Sequence, residues 1–130
     1  MPWPVDERYL EECEKALGLA LPTSYRSSLM SQNGGDVVCD GDIWKMHPIW
    51  DKSEKKRLQR TSNDVVRETK IMSGWFGWPS SAVCLAANGT GDALVFLTNE
   101  EVCGPEVHRW FHETGQTKKV AIDFSKLKRT

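Results

Sequence analysis

The chain has 130 residues, of which 39% are hydrophobic and 27% are charged, and its formal net charge is −1. This length and composition predict one globular domain, residues 1–130, that needs neither a metal nor a disulfide to support its core. The near-neutral charge argues against a general nucleic-acid or membrane-surface binder, because such proteins rely on a large excess of Lys and Arg. The sequence has no apolar run of about 18 residues and no signal-peptide pattern at its N-terminus, so we expect a cytoplasmic protein.

Two short helices are predicted near the N-terminus. The first begins after Asp6, whose side chain can cap it, and ends at Gly18, which readily adopts the left-handed conformation found after helices. Pro22 opens the second helix, because its fixed φ suits a first helical turn, and Tyr25 supplies part of the inward face. Asn33-Gly34-Gly35 ends this helix by the same left-handed geometry. This part of the chain therefore predicts a scaffold with little capacity for chemistry.

The next segment combines a hairpin, a basic stretch and a second helical region. Residues 37–46 predict a hairpin, because β-branched and aromatic residues flank the turn Asp40-Gly41-Asp42. The five basic residues within 52–60 indicate either a solvated helix or a mobile loop. A further helix is predicted over 64–72, with Asp64 as its cap.

The second half of the chain predicts mostly strands. The aromatic run at 75–79 contains Gly and Pro, which preclude a long regular element. Residues 82–97 predict a buried hairpin of two apolar runs, and residues 107–121 predict a second hairpin. A short terminal helix is expected to start near Asp123. Helices followed by strands with hairpin-length links predict an α+β fold with a largely antiparallel sheet.

Three patterns superficially resemble chemical sites. Gly89-Thr90-Gly91 is similar to a phosphate-binding loop, but it lacks the Gly-Lys-Ser/Thr ending and precedes a strand, so a hairpin turn is favoured. Asp92 is then expected to be a turn residue that is hydrogen-bonded to local backbone. His108 and His112 would lie about 13 Å apart on one strand, too far to share a zinc ion. The sequence therefore predicts no catalytic residues, no cofactor and no metal ligands.

The four cysteines are widely spaced and contain no C-x-x-C pair. Their neighbours are apolar, so reduced packing residues are favoured over disulfides. The cysteines are Cys13, Cys39, Cys84 and Cys103.

Tryptophans and acidic turn residues are the candidate partner-binding side chains. Trp44 and Trp110 lie within predicted strands and are expected in the core, whereas tryptophans near loops are better interface candidates. These loop tryptophans are Trp3, Trp50, Trp75 and Trp78. Acidic residues at predicted turns would suit a partner with a basic cleft, although ordinary turn composition also accounts for them. They are Asp36, Asp40, Asp42, Asp92, Glu100 and Glu101.

Three segments in order resemble the SUKH superfamily, which contains bacterial immunity proteins and fungal regulators of cell-wall synthesis. They are residues 10–35, 86–97 and 105–115, while residues 47–80 match only loosely. The residues of this signature are structural: Gly18, Leu21, Pro22, Tyr25, Asn33, Gly34, Gly35 and Gly91. The resemblance implies an α+β domain with a mixed sheet flanked by helices, and it supplies no catalytic residues.

The resemblance also implies a function. The expected function is that of an immunity protein that binds and neutralises a cognate bacterial polymorphic toxin, for example a nuclease. The alternative is a non-catalytic regulatory module, and a small enzyme ranks third. The expected partner is a toxin protein, with no direct nucleic-acid contact and no membrane contact, and the sequence does not fix the oligomeric state.

Overall fold

The computed structural model describes residues 3–99 and 102–129 of the chain. The helices within these residues are α1 (Glu7–Leu17), α2 (Thr23–Ser31), α3 (Lys55–Arg60), α4 (Val65–Met72) and a 3-10 turn (Phe124–Lys126). The strands are β1 (Asp36–Cys39), β2 (Asp42–Met46), β3 (Ala82–Ala87), β4 (Ala93–Asn99), β5 (Val102–Cys103), β6 (Val107–Trp110), β7 (Thr117–Ala121) and β8 (Lys128–Arg129). The predicted basic segment contains the solvated helix α3, which has no buried residue.

The strands form one curled sheet in the order β7-β6-β4-β3-β2-β1-β8, with β5 paired to β4. Every strand pair described is antiparallel, including the three predicted hairpins, β1–β2, β3–β4 and β6–β7. The prediction of an α+β fold with a mostly antiparallel sheet and flanking helices is confirmed. The antiparallel order explains why most connections within the sheet are short.

Local chemistry sets the ends of the N-terminal helices. The Asp6 carboxylate accepts the backbone N–H of Arg8 at 2.9 Å and so caps α1. Gly18 ends α1 with a φ of 74°, and the Glu14 carboxylate accepts the Leu21 N–H at 2.7 Å in the link that follows. The Pro22 carbonyl accepts the first helical hydrogen bond of α2, from Arg26 at 3.0 Å.

One face of the sheet packs against α1, α2 and the 3-10 turn. Its largest buried side chains include Trp44, Leu94 and Phe96. Tyr25 of α2 lies edge-on to Phe96, with 5.0 Å between ring centroids, and edge-on to Phe124 at 5.2 Å. The main hydrophobic core lies on this face. Leu94 and Phe96 both contribute to it because alternate residues of a strand point to the same face of the sheet.

The start of α4 contacts α1 and adds Val65 to this main core, whereas the opposite face of the sheet packs against Met72 at the end of α4 and the aromatic residues that follow it. Ala82, Cys84 and Val95 form a smaller cluster there around the buried Trp110. The register of β3 shifts between Cys84 and Ala86, and the Cys84 N–H donates to the Thr69 hydroxyl of α4 at 2.9 Å. The strand irregularity thus fixes α4 on the sheet.

The four cysteines are unpaired and buried, as predicted. Burial raises the pKa of Cys13, Cys84 and Cys103 to about 12. These side chains are therefore neutral thiols that pack as small apolar groups at physiological pH.

None of the helices within the described residues combines the length and the apolar character needed to cross a membrane.

Candidate functional site

Asp92 lies at the centre of a polar cluster that we call the clasp, formed by Asp40, Asp92, Arg109 and His112. The Asp92 side chain accepts hydrogen bonds from Arg109 Nη2 at 2.8 Å and Nε at 3.1 Å. Its other oxygen accepts the His112 backbone N–H at 3.1 Å and lies 2.6 Å from His112 Nδ1. The prediction that Asp92 bonds to local backbone is wrong, because the pairing of β4 with β6 brings these distant groups together.

Arg109 links the clasp to the core. Its guanidinium lies 5.0 Å from the ring centroids of both Trp44 and Phe111. Its Nη1 donates to Asp40 at 3.1 Å, and Lys118 Nζ lies 3.3 Å from the second Asp40 oxygen. Each carboxylate of the clasp is therefore neutralised within the chain.

The pKa values in the clasp agree with this charge pairing. Burial by itself raises the pKa of Asp92, but hydrogen bonds from His112 and Arg109 outweigh burial and hold it below its usual value. Burial lowers the pKa of Arg109, but the hydrogen bonds to Asp92 and Asp40 outweigh that effect and raise it. Both groups are consequently charged over the physiological pH range.

Asp92 and His112 have the geometry of an acid–histidine pair, and an open cleft of about 420 Å³ lies beside them. Among the residues that the structure describes, no hydroxyl or thiol hydrogen-bonds to His112 Nε2, as an activated nucleophile would. A Cβ on Gly91, whose φ is 110°, would lie 2.9 Å from His112 Cγ, so the imidazole packs against bare backbone. These contacts give the pair a structural role in joining the β3–β4 turn to the end of β6.

The other predicted acidic residues do not form one free surface. Asp42 accepts the Ile43 N–H and the Asn88 side-chain amide, each at 2.9 Å. Asp36 is exposed on β1, and Glu100 and Glu101 lie outside the described residues. Among the described members of the set, the carboxylates of Asp40, Asp42 and Asp92 are thus engaged within the chain.

The aromatic turn, residues 75–79, carries the most exposed large apolar side chain in the described residues. Phe76 is 95% exposed and Trp75 is 49% exposed. Trp78 is half-buried and lies edge-on to Trp110, with 4.9 Å between ring centroids. Sequence reasoning identified the two tryptophans but missed Phe76, because adjacency in sequence does not reveal which ring points outward.

Contacts below the turn hold it in place. Trp110 Nε1 donates to the Gly77 carbonyl at 3.0 Å. Gly77 has a φ of 80°, and a Cβ there would lie 2.8 Å from the Gly115 Cα in the β6–β7 turn. Ile71 on α4, four residues before Trp75 in the chain, is also 47% exposed. The result is an aromatic projection on a supported backbone.

The remaining loop tryptophans lie elsewhere. Trp50 is 45% exposed and lies 5.2 Å from Lys52 Nζ, measured to the ring centroid. Trp3 lies under the cationic end of Arg57, at 5.2 Å from its ring centroid. Trp44 and Trp110 are fully buried, as predicted.

The residues of the sequence signature have structural contacts. Tyr25 and Leu21 are buried in the main core. Asn33 is also buried, donates to the Ile49 carbonyl at 2.8 Å and accepts the Ile49 N–H at 2.7 Å. Gly34 and Gly35 follow it with positive φ angles and return the chain to β1. These contacts account for the signature without any chemistry.

Within the described residues, no group of three or more His, Cys, Asp or Glu side chains is arranged to hold a metal ion. The aromatic turn is the most exposed apolar surface that the described residues offer to a partner.

Comparison with known families gives one match. The family model described as "SMI1 / KNR4 family (SUKH-1)" matches residues 4–129. No curated protein and no solved structure matches the chain significantly.

Proposed function

The chain belongs to the SMI1/KNR4 (SUKH-1) family, and we propose that it is an immunity protein that binds and neutralises a cognate bacterial toxin. The binding is stoichiometric and non-catalytic, and its centre is the aromatic turn. The single observation that supports this proposal best is the 95% exposure of Phe76 on a supported backbone.

Exposure of these side chains is unfavourable in the free protein. Phe76, Trp75 and Ile71 leave apolar area in water that a partner would remove, at about 25 cal/mol for each Å² buried. Aromatic residues at the centre of an interface commonly contribute about 2 kcal/mol or more each when truncated. A projecting Phe therefore suits insertion into a pocket of a partner protein.

The support below the turn favours tight binding. Gly77 contacts Gly115, and the Gly77 carbonyl is held by Trp110, so the turn has little conformational freedom to lose on binding. Association normally costs free energy for ordering side chains and loops at the interface. A turn that is already ordered avoids part of that cost, as an inhibitor of a toxin requires.

The test is co-expression with the protein encoded by the neighbouring reading frame, which the proposal predicts to carry a toxin domain. The wild-type protein is expected to protect the cells and to bind the purified toxin domain. In titrations, residual toxin activity should fall linearly and reach its minimum near one equivalent, because inhibition by binding is stoichiometric. Phe76→Ser should weaken binding about 30-fold.

Ile122→Ser is the matched control, because Ile122 is also exposed, at 60%, but lies beyond β7. Ile122→Ser should protect as the wild type does. Full protection by Phe76→Ser would place the interface elsewhere. Failure of the wild type to bind or protect would contradict the immunity function itself, and reproducible binding to several cellular proteins would then favour a regulatory module.

A further inference from the structure

A groove separates α1 from α4 on a different part of the surface. It has a volume of about 430 Å³. Its apolar lining comes from Tyr9, Cys13 and Ala16 on α1 and from Val66 on α4. Trp50 stands at the mouth with 45% of its surface exposed. On α1 the lining extends from Tyr9 to Ala16, about two helical turns.

Basic side chains outnumber acidic ones in the lining of this groove, although the chain as a whole has a net charge of −1. Residues 50–72 contain seven basic and four acidic side chains. Three of the basic residues, Lys52, Arg67 and Lys70, are exposed and line the groove together with the exposed Glu12 of α1 and the buried Asp64. Of the acidic residues, Asp51 and Asp64 are buried, Glu68 is half-buried and Glu54 is exposed. Because two of the four carboxylates are buried, the exposed side chains of this segment are more strongly basic than its composition.

The basic residues at the rim of the groove can leave their present ion pairs and pair with a partner's carboxylates. Lys52 Nζ lies 2.6 Å from the Glu12 carboxylate, and both side chains are more than 40% exposed. Arg67 pairs with the neighbouring Glu68 at 3.2 Å. Exposed pairs of this kind contribute about 0–1 kcal/mol to stability. An incoming carboxylate could therefore replace Glu12 beside Lys52 at little cost.

We propose that this groove binds a short acidic segment of a partner protein, whose apolar side chains enter between α1 and α4 while its carboxylates contact Lys52, Arg67 and Lys70. Trp50 covers one end of the bound segment. The proposal does not depend on toxin binding at the aromatic turn, which follows the C-terminal end of α4.

A protein segment fits this groove better than a nucleic acid does. Single-stranded nucleic acids need several aromatic side chains on which successive bases stack, together with a basic path for the backbone. Here Trp50 and the largely buried Tyr9 are the aromatic residues of the lining, and its other apolar side chains are Cys13, Ala16 and Val66. Apolar pockets with a charged rim are typical of recognition of amphipathic peptides.

The test begins with a library of random peptides about twelve residues long, displayed on phage and selected on the full-length protein. Selected peptides are expected to combine Asp or Glu with Leu, Phe, Met or Trp. A synthetic copy of the most enriched peptide is then titrated while NMR signals of the Trp50 indole and the Val66 methyl groups are followed. Raising NaCl from about 0.05 to about 0.5 M should weaken its binding several-fold.

Two charge reversals provide the decisive comparison. Lys70→Glu should weaken binding of the synthetic peptide about tenfold, whereas Lys128→Glu, the same change at an exposed position on β8, should not alter it. Trp50→Ala should abolish binding of the synthetic peptide but leave protection against the toxin intact. Phe76→Ser should weaken toxin binding but leave binding of the peptide intact.

Several outcomes would overturn the proposal. They are a library with no Trp50-dependent binder, selection of basic peptides, or equal binding by Lys70→Glu and wild type. Displacement of the peptide by a single-stranded oligonucleotide of about 20 nucleotides would identify a nucleic-acid site instead.

Discussion

The clasp and the aromatic turn are joined by the contact of Gly77 with the β6–β7 turn. The side chains of the clasp bond to one another, whereas the most exposed side chain of the aromatic turn faces solvent. In the clasp, Asp92, Arg109 and His112 satisfy one another inside the fold. In the aromatic turn, Phe76 is left 95% exposed. Three of the four clasp residues, Asp92, Arg109 and His112, lie in segments that carry the sequence signature, whereas Asp40 and the aromatic turn lie outside those segments. The signature residues thus maintain the scaffold, and under the proposed function the intervening segment would supply the contacts to the partner.

Removal of the central carboxylate should have the largest effect on stability. Asp92→Ala deprives Arg109 and His112 of their shared acceptor, and leaving this partly buried charged network incomplete costs about 3 kcal/mol. Urea unfolding followed by tryptophan fluorescence measures the change. Asp36→Ala, at an exposed position on β1, should stay within about 0.5 kcal/mol of wild type. An equal effect of both variants would show that the clasp does not stabilise the fold.

A methyl group at Gly77 should have the next largest effect. Gly77→Ala combines a φ of 80° with a Cβ 2.8 Å from the Gly115 Cα, so we expect a loss of about 2 kcal/mol in the free energy of unfolding. Gly89→Ala is the matched control, because Gly89 has a φ of 86° but a Cβ there would meet no atom within 4 Å. Its loss should be about 1 kcal/mol, from backbone strain alone. Equal losses would mean that the turn is not braced against Gly115.

The clasp should also make stability depend on acid pH. The pKa of Asp92 is lower in the folded protein than its usual value, so its ionised form stabilises the fold at pH values above the unfolded pKa of about 3.9. That contribution is lost as the pH falls through the lower, folded pKa. The difference in stability between wild type and Asp92→Asn should therefore be constant above about pH 5 and shrink below about pH 4. A difference that grows on acidification would contradict the charge pairing.

Much of the fold could be predicted from the sequence because its signals are local. The Asp6 and Asp64 caps, Gly18, and the Asp40-Gly41 turn each act within a few residues and lie where expected. The apolar runs of β3 and β4 likewise predicted the central hairpin. The order of strands within the sheet is not encoded in this local way.

The same limit explains what the sequence did not reveal about the candidate site. Asp92 meets Arg109 and His112 only because β4 pairs with β6, and the sequence signals do not fix that pairing. Phe76 and Trp78 are both aromatic and lie two residues apart, but Trp78 packs on Trp110 whereas Phe76 is exposed. Which aromatic side chain is exposed depends on tertiary contacts that a run of five residues does not contain.

The smallest change in stability is expected for Phe76→Ser. The stability of this variant determines whether a loss of toxin binding can be attributed to a missing contact. Because the side chain is 95% exposed, Phe76→Ser should alter the free energy of unfolding by less than about 0.5 kcal/mol in urea. A loss of toxin binding by such a variant would then reflect a missing contact and not a damaged fold. A stability loss above about 1 kcal/mol would mean that Phe76 packs within the protein. The aromatic turn would then not differ from the clasp in leaving its side chains unpaired and exposed to solvent.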